Sequence, residues 1–99
     1  GNIKTIKTQE DKKMKRTIGT ILRKNEINAA QYGTSSIRGY KPLKKAGYTF
    51  LSGYEFCDFI AVKYATKGNS DVKHEEMFKV LSDAGLKVEL GVDCVKVYK

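Results

Sequence analysis

The side chains of greatest chemical reactivity in this chain are one histidine and two cysteines, His74, Cys57 and Cys94. With Asp58 or Asp93 they have the composition of a cysteine-nucleophile site, in which a histidine base activates a thiol. No recognisable spacing connects them, and no glycine-rich loop of the nucleotide-binding types is present. We therefore predict a protein that is not an enzyme and that uses no cofactor.

The same three side chains are too few and too far apart in sequence for a zinc site, which takes four ligands, or three and a water, at characteristic spacing. We predict no metal site. The N-terminus has no apolar signal core, so Cys57 and Cys94 are expected to be buried, reduced thiols of a cytoplasmic protein. A disulfide remains an alternative if their two strands are adjacent. No apolar run approaches the ~20 residues that span a bilayer, so we expect no membrane partner.

The positive charge of the chain is concentrated in its first half. Residues 1–50 contain twelve Lys or Arg and three acidic residues, whereas residues 51–99 contain seven Lys or Arg and eight acidic residues, within a net charge of +8. A bias spread evenly over the surface would not divide in this way, so one region should have a positive potential. The first partner to consider is a polyanion, above all nucleic acid.

A basic helix is the first element that the pattern predicts. The helix should run from about Gln9 to Asn25, with Thr8 as its N-cap and its apolar face formed by Met14, Ile18, Ile21 and Leu22. Its opposite side has a stripe of four cations, Lys12, Lys15, Arg16 and Arg23. Gly19 lies on this stripe, where either a close approach of a partner or simple tolerance would explain it. The stripe is a candidate phosphate-binding surface, although a solvated basic face is the alternative.

Cations and tyrosines alternate in the next segment. Arg38-Gly39-Tyr40-Lys41 and Lys44-Lys45-Ala46-Gly47-Tyr48 each place a tyrosine beside glycine and near basic side chains. Nucleic-acid bases stack on aromatic rings while Lys and Arg bind the phosphates. We therefore add six residues to the candidate site: Arg38, Tyr40, Lys41, Lys44, Lys45 and Tyr48. The alternative is structural, since tyrosine favours strands and glycine favours turns.

The remaining pattern predicts the fold. A strand should end near Tyr40, residues 41–47 should form a turn or one helical turn, and residues 48–51 should be extended. A long central strand is expected from Tyr54 to Tyr64, then a second helix from Ser70 or Asp71 to Ala84, which Gly85 ends, and a hairpin of residues 86–90 and 94–98. We predict one compact α+β domain over residues 1–99, with residues 1–7 flexible or an edge strand. Two helices pack on one face of a small, mainly antiparallel sheet.

These observations predict a small basic binding module that binds DNA or RNA through its N-terminal half, with tyrosines available for stacking on a single strand. The alternative is a small inhibitor or adaptor from a phage or mobile element that binds an acidic protein or a nucleoprotein complex. This alternative is based on the small size of the chain and on its excess of lysine over arginine, 16 residues to 3. The sequence does not distinguish DNA from RNA or one strand from two, and it leaves the oligomeric state open.

Overall fold

A computed structural model describes residues 3–34 and 41–99, with side chains from residue 10 onwards. It shows the predicted α+β fold with two helices and six strands in these residues. The helices are α1 (Ile3–Lys24) and α2 (Asp71–Asp83). The strands are β1 (Gln31–Tyr32), β2 (Leu43–Lys45), β3 (Gly47–Phe50), β4 (Phe59–Ala65), β5 (Val88–Gly91) and β6 (Cys94–Tyr98).

A four-stranded antiparallel sheet in the order β3-β4-β6-β5 is the centre of the fold, and β1 and β2 form a separate two-stranded antiparallel sheet. Both helices pack on the same face of the larger sheet. Alternation along β4 directs Ile60 and Val62 to that face and Phe59 and Ala61 to the other. The core comprises Ile18 and Leu22 of α1, Met77 and Leu81 of α2, and Ile60, Val62, Val95 and Val97 of the sheet, with Ile27 and Tyr48.

The first helix is longer than its sequence pattern predicts. It begins at Ile3, so Thr8 lies inside it and is not the N-cap, and the prediction that residues up to 7 are flexible or an edge strand is wrong from Ile3 onwards. Residues 3–7 contain no Gly or Pro. Helical hydrogen bonding can therefore propagate from the packed turns towards the N-terminus, since elongation is easier than nucleation.

Two strand predictions also need correction. Residues 43–45 form a strand because they pair with Gln31 and Tyr32, a non-local contact that a turn-like composition conceals. The long strand begins at Phe59 rather than Tyr54. Gly53 has a φ of +92°, and the Cys57 N–H donates to the Tyr54 carbonyl at 3.0 Å, so the segment before Phe59 is a turn.

The second helix and the final hairpin agree closely with the prediction. Gly85 ends α2 with a φ of +95°, a conformation that glycine adopts without strain. Ser70 is at the N-cap position, but its side chain makes no capping hydrogen bond. Asn69 Oδ1 instead accepts a hydrogen bond from the Asp71 N–H at 2.7 Å. Strands β5 and β6 are joined through Val92 and Asp93.

Candidate nucleic-acid interface

The basic stripe of α1 lies over β3, which is an edge strand of the larger sheet. Tyr48 of β3 connects the two elements, since its hydroxyl accepts a hydrogen bond from Arg23 Nη1 at 2.8 Å. A Cβ atom at Gly19 would lie 2.9 Å from that hydroxyl oxygen. The glycine therefore makes room for a tyrosine of the same chain, and neither a partner nor simple tolerance is needed to explain it.

Five of the predicted phosphate-binding residues are exposed on α1 or on β2, next to this edge. Arg23 and the other exposed stripe residues, Lys12 and Arg16, lie on the solvent side of α1. Lys44 and Lys45 are exposed on β2, which Ala46 alone separates from β3. Lys45 is three residues from Tyr48, at most about 11 Å along an extended chain. The cations of β2 are therefore close along the chain to the tyrosine that Arg23 of α1 contacts.

We name this surface the basic edge and define it by Lys12, Arg16, Arg23, Lys41, Lys44 and Lys45, all of which are exposed. Three salt bridges occur in the described part of the chain: Lys63–Asp93 at 3.0 Å, Lys73–Glu76 at 3.4 Å and Lys99–Asp11 at 2.7 Å. None of them includes a residue of the basic edge. The carboxylates of the second half therefore leave these positive charges available to a ligand.

One of the predicted contact residues is buried, and another lies against an aromatic ring. Tyr48 is 5 % exposed and packs edge-on against Phe50, with ring centroids 5.8 Å apart. The prediction that its ring stacks on a base is wrong for this position, because the ring is part of the core. Lys15 is half-buried, and its Nζ lies 5.7 Å from the centroid of the Phe50 ring. A cation–π contact of this kind places the ammonium over the ring, and its other side can still meet an anion.

Arg38 and Tyr40, the other two predicted site residues, lie outside the described residues. Sequence reasoning also missed two exposed cations of α1, Lys13 and Lys24. Neither falls on the stripe that defined the candidate site. The only sequence feature that pointed to them was the excess of Lys and Arg in the first half of the chain.

The reactive side chains singled out above have structural surroundings. Both cysteines are free; Cys94 is buried, and Cys57 is half-buried rather than fully buried. Burial raises the pKa of the Cys94 thiol, which disfavours the nucleophilic thiolate. In residues 10–34 and 41–99, no three His, Cys, Asp or Glu side chains are grouped to hold a metal ion. No helix of the described chain is long and apolar enough to cross a membrane.

His74 is only 3 % exposed, and its Nε2 accepts a hydrogen bond from the Tyr64 backbone N–H at 3.0 Å. The lone pair that a general base needs is thus already used. Burial is the main cause that lowers the His74 pKa below its ordinary 6.5, and the positive charge of Lys63 adds to it, while Asp93 and Asp71 act in the opposite direction. The histidine is therefore a neutral acceptor that joins α2 to β4.

This arrangement makes the stability of the fold dependent on pH. His74 takes up a proton more readily in the unfolded chain than in the folded one, so the free energy of unfolding should fall as the pH drops below about 6.5. Urea titrations at several pH values from about 7.5 to about 5 measure this fall. A His74→Gln variant keeps an acceptor for the Tyr64 N–H but does not titrate, so its stability should change less over this range. An equal loss in both proteins would contradict the assignment.

Comparisons of the chain with protein-family models, curated proteins and solved structures found no match. The geometry of the described residues is therefore the basis for a functional conclusion.

Proposed function

We propose that this protein is a small, non-enzymatic nucleic-acid-binding module whose basic edge contacts the phosphate backbone. The observation that supports this most strongly is the charge arrangement. Exposed cations occur on α1, which contacts Tyr48 through Arg23, and on β2, which precedes the strand of Tyr48 by one residue, and no salt bridge of the described chain neutralises them. Phosphate contacts made by such cations release condensed counterions, which drives binding without sequence readout.

The side of α1 that faces away from the core presents mainly Lys and Arg, and most protein contacts to nucleic acid by such side chains are to the phosphates. Contacts of this kind position a protein on nucleic acid but carry no sequence information. We therefore propose modest sequence preference. We also propose a cytoplasmic location, which two free cysteines favour.

The proposal is tested by equilibrium titrations against single- and double-stranded DNA and RNA at several salt concentrations. If four cations of the basic edge each neutralise a phosphate, the logarithm of affinity should fall with the logarithm of salt concentration. The expected slope is about −3.6 for duplex DNA and about −2.8 for a single strand. An affinity that is the same at low and moderate salt would contradict the proposal.

A pull-down from a bacterial lysate treated with nuclease complements these titrations. If the protein binds no nucleic acid but retains one acidic protein stoichiometrically, the alternative function is favoured. The protein would then be an inhibitor or adaptor of the phage or mobile-element kind that binds its partner through the basic edge.

A further inference from the structure

The face of the sheet opposite the helices has a row of three aromatic rings. Phe59 of β4 and Tyr98 of β6 are directly opposite in the strand register, with ring centroids 5.9 Å apart and planes at 64°. Tyr54, in the turn before β4, continues the row at 5.5 Å from Phe59. We name these three residues the aromatic row. The apolar sides of α1 and α2 pack on the other face; Tyr54 is exposed, and Phe59 and Tyr98 are half-buried.

Two lysines accompany these rings. Lys96 Nζ lies 5.1 Å from the centroid of Phe59, and Lys87 Nζ lies 5.8 Å from that of Tyr98. Lys96 is opposite Glu89 in the strand register. The Glu89 carboxylate accepts a hydrogen bond from the Tyr98 hydroxyl at 3.1 Å and forms no salt bridge with Lys96. Neither Lys87 nor Lys96 takes part in a salt bridge of the described residues. Flat rings and unneutralised ammonium groups therefore occur together.

The aromatic row begins beside the helix that carries the basic stripe. Lys15 of α1, Tyr54 and Phe59 line one small cavity, which also includes Asp11 and Glu55. Lys12 and Arg16 are each within four residues of Lys15 along α1. A chain of phosphates bound at this end of the basic edge can therefore continue past Tyr54 and onto the sheet.

We propose that the aromatic row is a stacking surface for the bases of a single-stranded nucleic acid, with Lys87 and Lys96 bound to its phosphates. This inference rests on the proposed function and adds the kind of strand. In a duplex the base faces are covered by their neighbours, whereas an unpaired base can lie against a protein ring. A single strand supplies a partner for each group on this face, a planar base for the rings and a phosphate for the ammonium groups. Three rings provide for two or three successive bases.

The test compares three labelled ligands of about 12 nucleotides: an oligothymidylate, an abasic oligomer with the same phosphates, and a duplex. The wild-type protein should bind the oligothymidylate at least about 25-fold more tightly than the abasic oligomer, because each of two or more stacked bases strengthens binding by a factor of about 5 or more. Phe59→Leu and Tyr98→Leu, which replace a flat ring by a branched side chain, should reduce this ratio towards one.

Two control variants are available in the chain. Phe56 is 71 % exposed and lies outside the aromatic row, so Phe56→Leu should keep the wild-type ratio. Tyr98→Phe keeps the ring and removes only the hydroxyl bond to Glu89, and it should also keep the ratio. Thermal unfolding of every variant shows whether it is folded. If the leucine variants do not fold, photocrosslinking of the wild-type protein to an oligomer containing 5-iodouracil should label Tyr54, Phe59 or Tyr98.

The outcomes separate the two proposals. Failure to bind any of the three ligands would overturn the proposed function itself. Equal affinity for the oligothymidylate and the abasic oligomer would overturn the stacking inference and leave the basic edge as the binding surface. Crosslinks confined to other residues would overturn the inference as well, and so would dimerisation that Phe59→Leu abolishes, because the face would then bind a second copy of the chain.

Discussion

Replacing Gly47 by alanine should destabilise the fold by about 3 kcal/mol or more. A Cβ atom there would lie 2.5 Å from both the Ala29 carbonyl carbon and the Ala30 nitrogen, and it would also contact the Asn28 carbonyl oxygen. All these atoms are backbone, so no side chain can rotate away. The clash can be relieved only if the backbone of residues 28–30, after α1, moves away from β3.

That movement would break further contacts. The Ala30 N–H donates to the Tyr48 carbonyl, and the Tyr48 N–H donates to the Asn28 carbonyl, both at 2.9 Å. Gly68 provides a matched control, since an added Cβ atom would meet nothing within 4 Å. Chemical denaturation of the two variants measures the difference in the free energy of unfolding. A Gly47→Ala protein as stable as Gly68→Ala would contradict the close packing of residues 28–30 against β3.

Reversing the charge of Arg16 should weaken binding to nucleic acid about tenfold and make the salt slope shallower by about one phosphate contact. Arg16 is exposed on the stripe of α1 and forms no salt bridge among the described residues, so Arg16→Glu removes charge without breaking a contact of that kind. Arg23 is unsuitable for this purpose because its guanidinium also bonds to Tyr48.

Lys79→Glu is the matched control for Arg16→Glu. Lys79 is also exposed on a helix and outside the three salt bridges, and its replacement changes the net charge by the same amount. It lies on α2, away from the basic edge, so its substitution should change affinity much less. Titrations of both variants at two salt concentrations make the comparison. Equal losses would mean that the protein responds to its net charge and has no localised binding surface.

Local patterns were enough to predict the second helix and the final hairpin. The end of α2 at Gly85 follows from the left-handed conformation that glycine adopts, and the apolar spacing of Met77 and Leu81 matches the helical period. The middle of the chain was predicted less well because its structure depends on distant partners. The pairing of β2 with Gln31 and Tyr32, for example, leaves no trace in the composition of residues 41–47.

The candidate site shows the same division. The cations of α1 could be placed on one side from their spacing, since the apolar residues fix the opposite side. The orientation of Tyr48 could not be predicted from the sequence. Its strand, β3, is a short edge strand, and a shift of one residue in its register exchanges the two faces. The aromatic row was also beyond sequence reasoning. Phe59 and Tyr98 are 39 positions apart and become neighbours only through the register of β4 and β6.

The hydrogen bond between Arg23 and Tyr48 has a consequence for the kinetics of recognition. Since the tyrosine ring occupies the space above Gly19 and its hydroxyl holds the guanidinium, α1 cannot roll about its axis without breaking both contacts. The helix that carries the cations is therefore already oriented before a ligand arrives. Binding then does not incur the entropic cost of ordering the helix. Association can then approach the rate set by electrostatic steering.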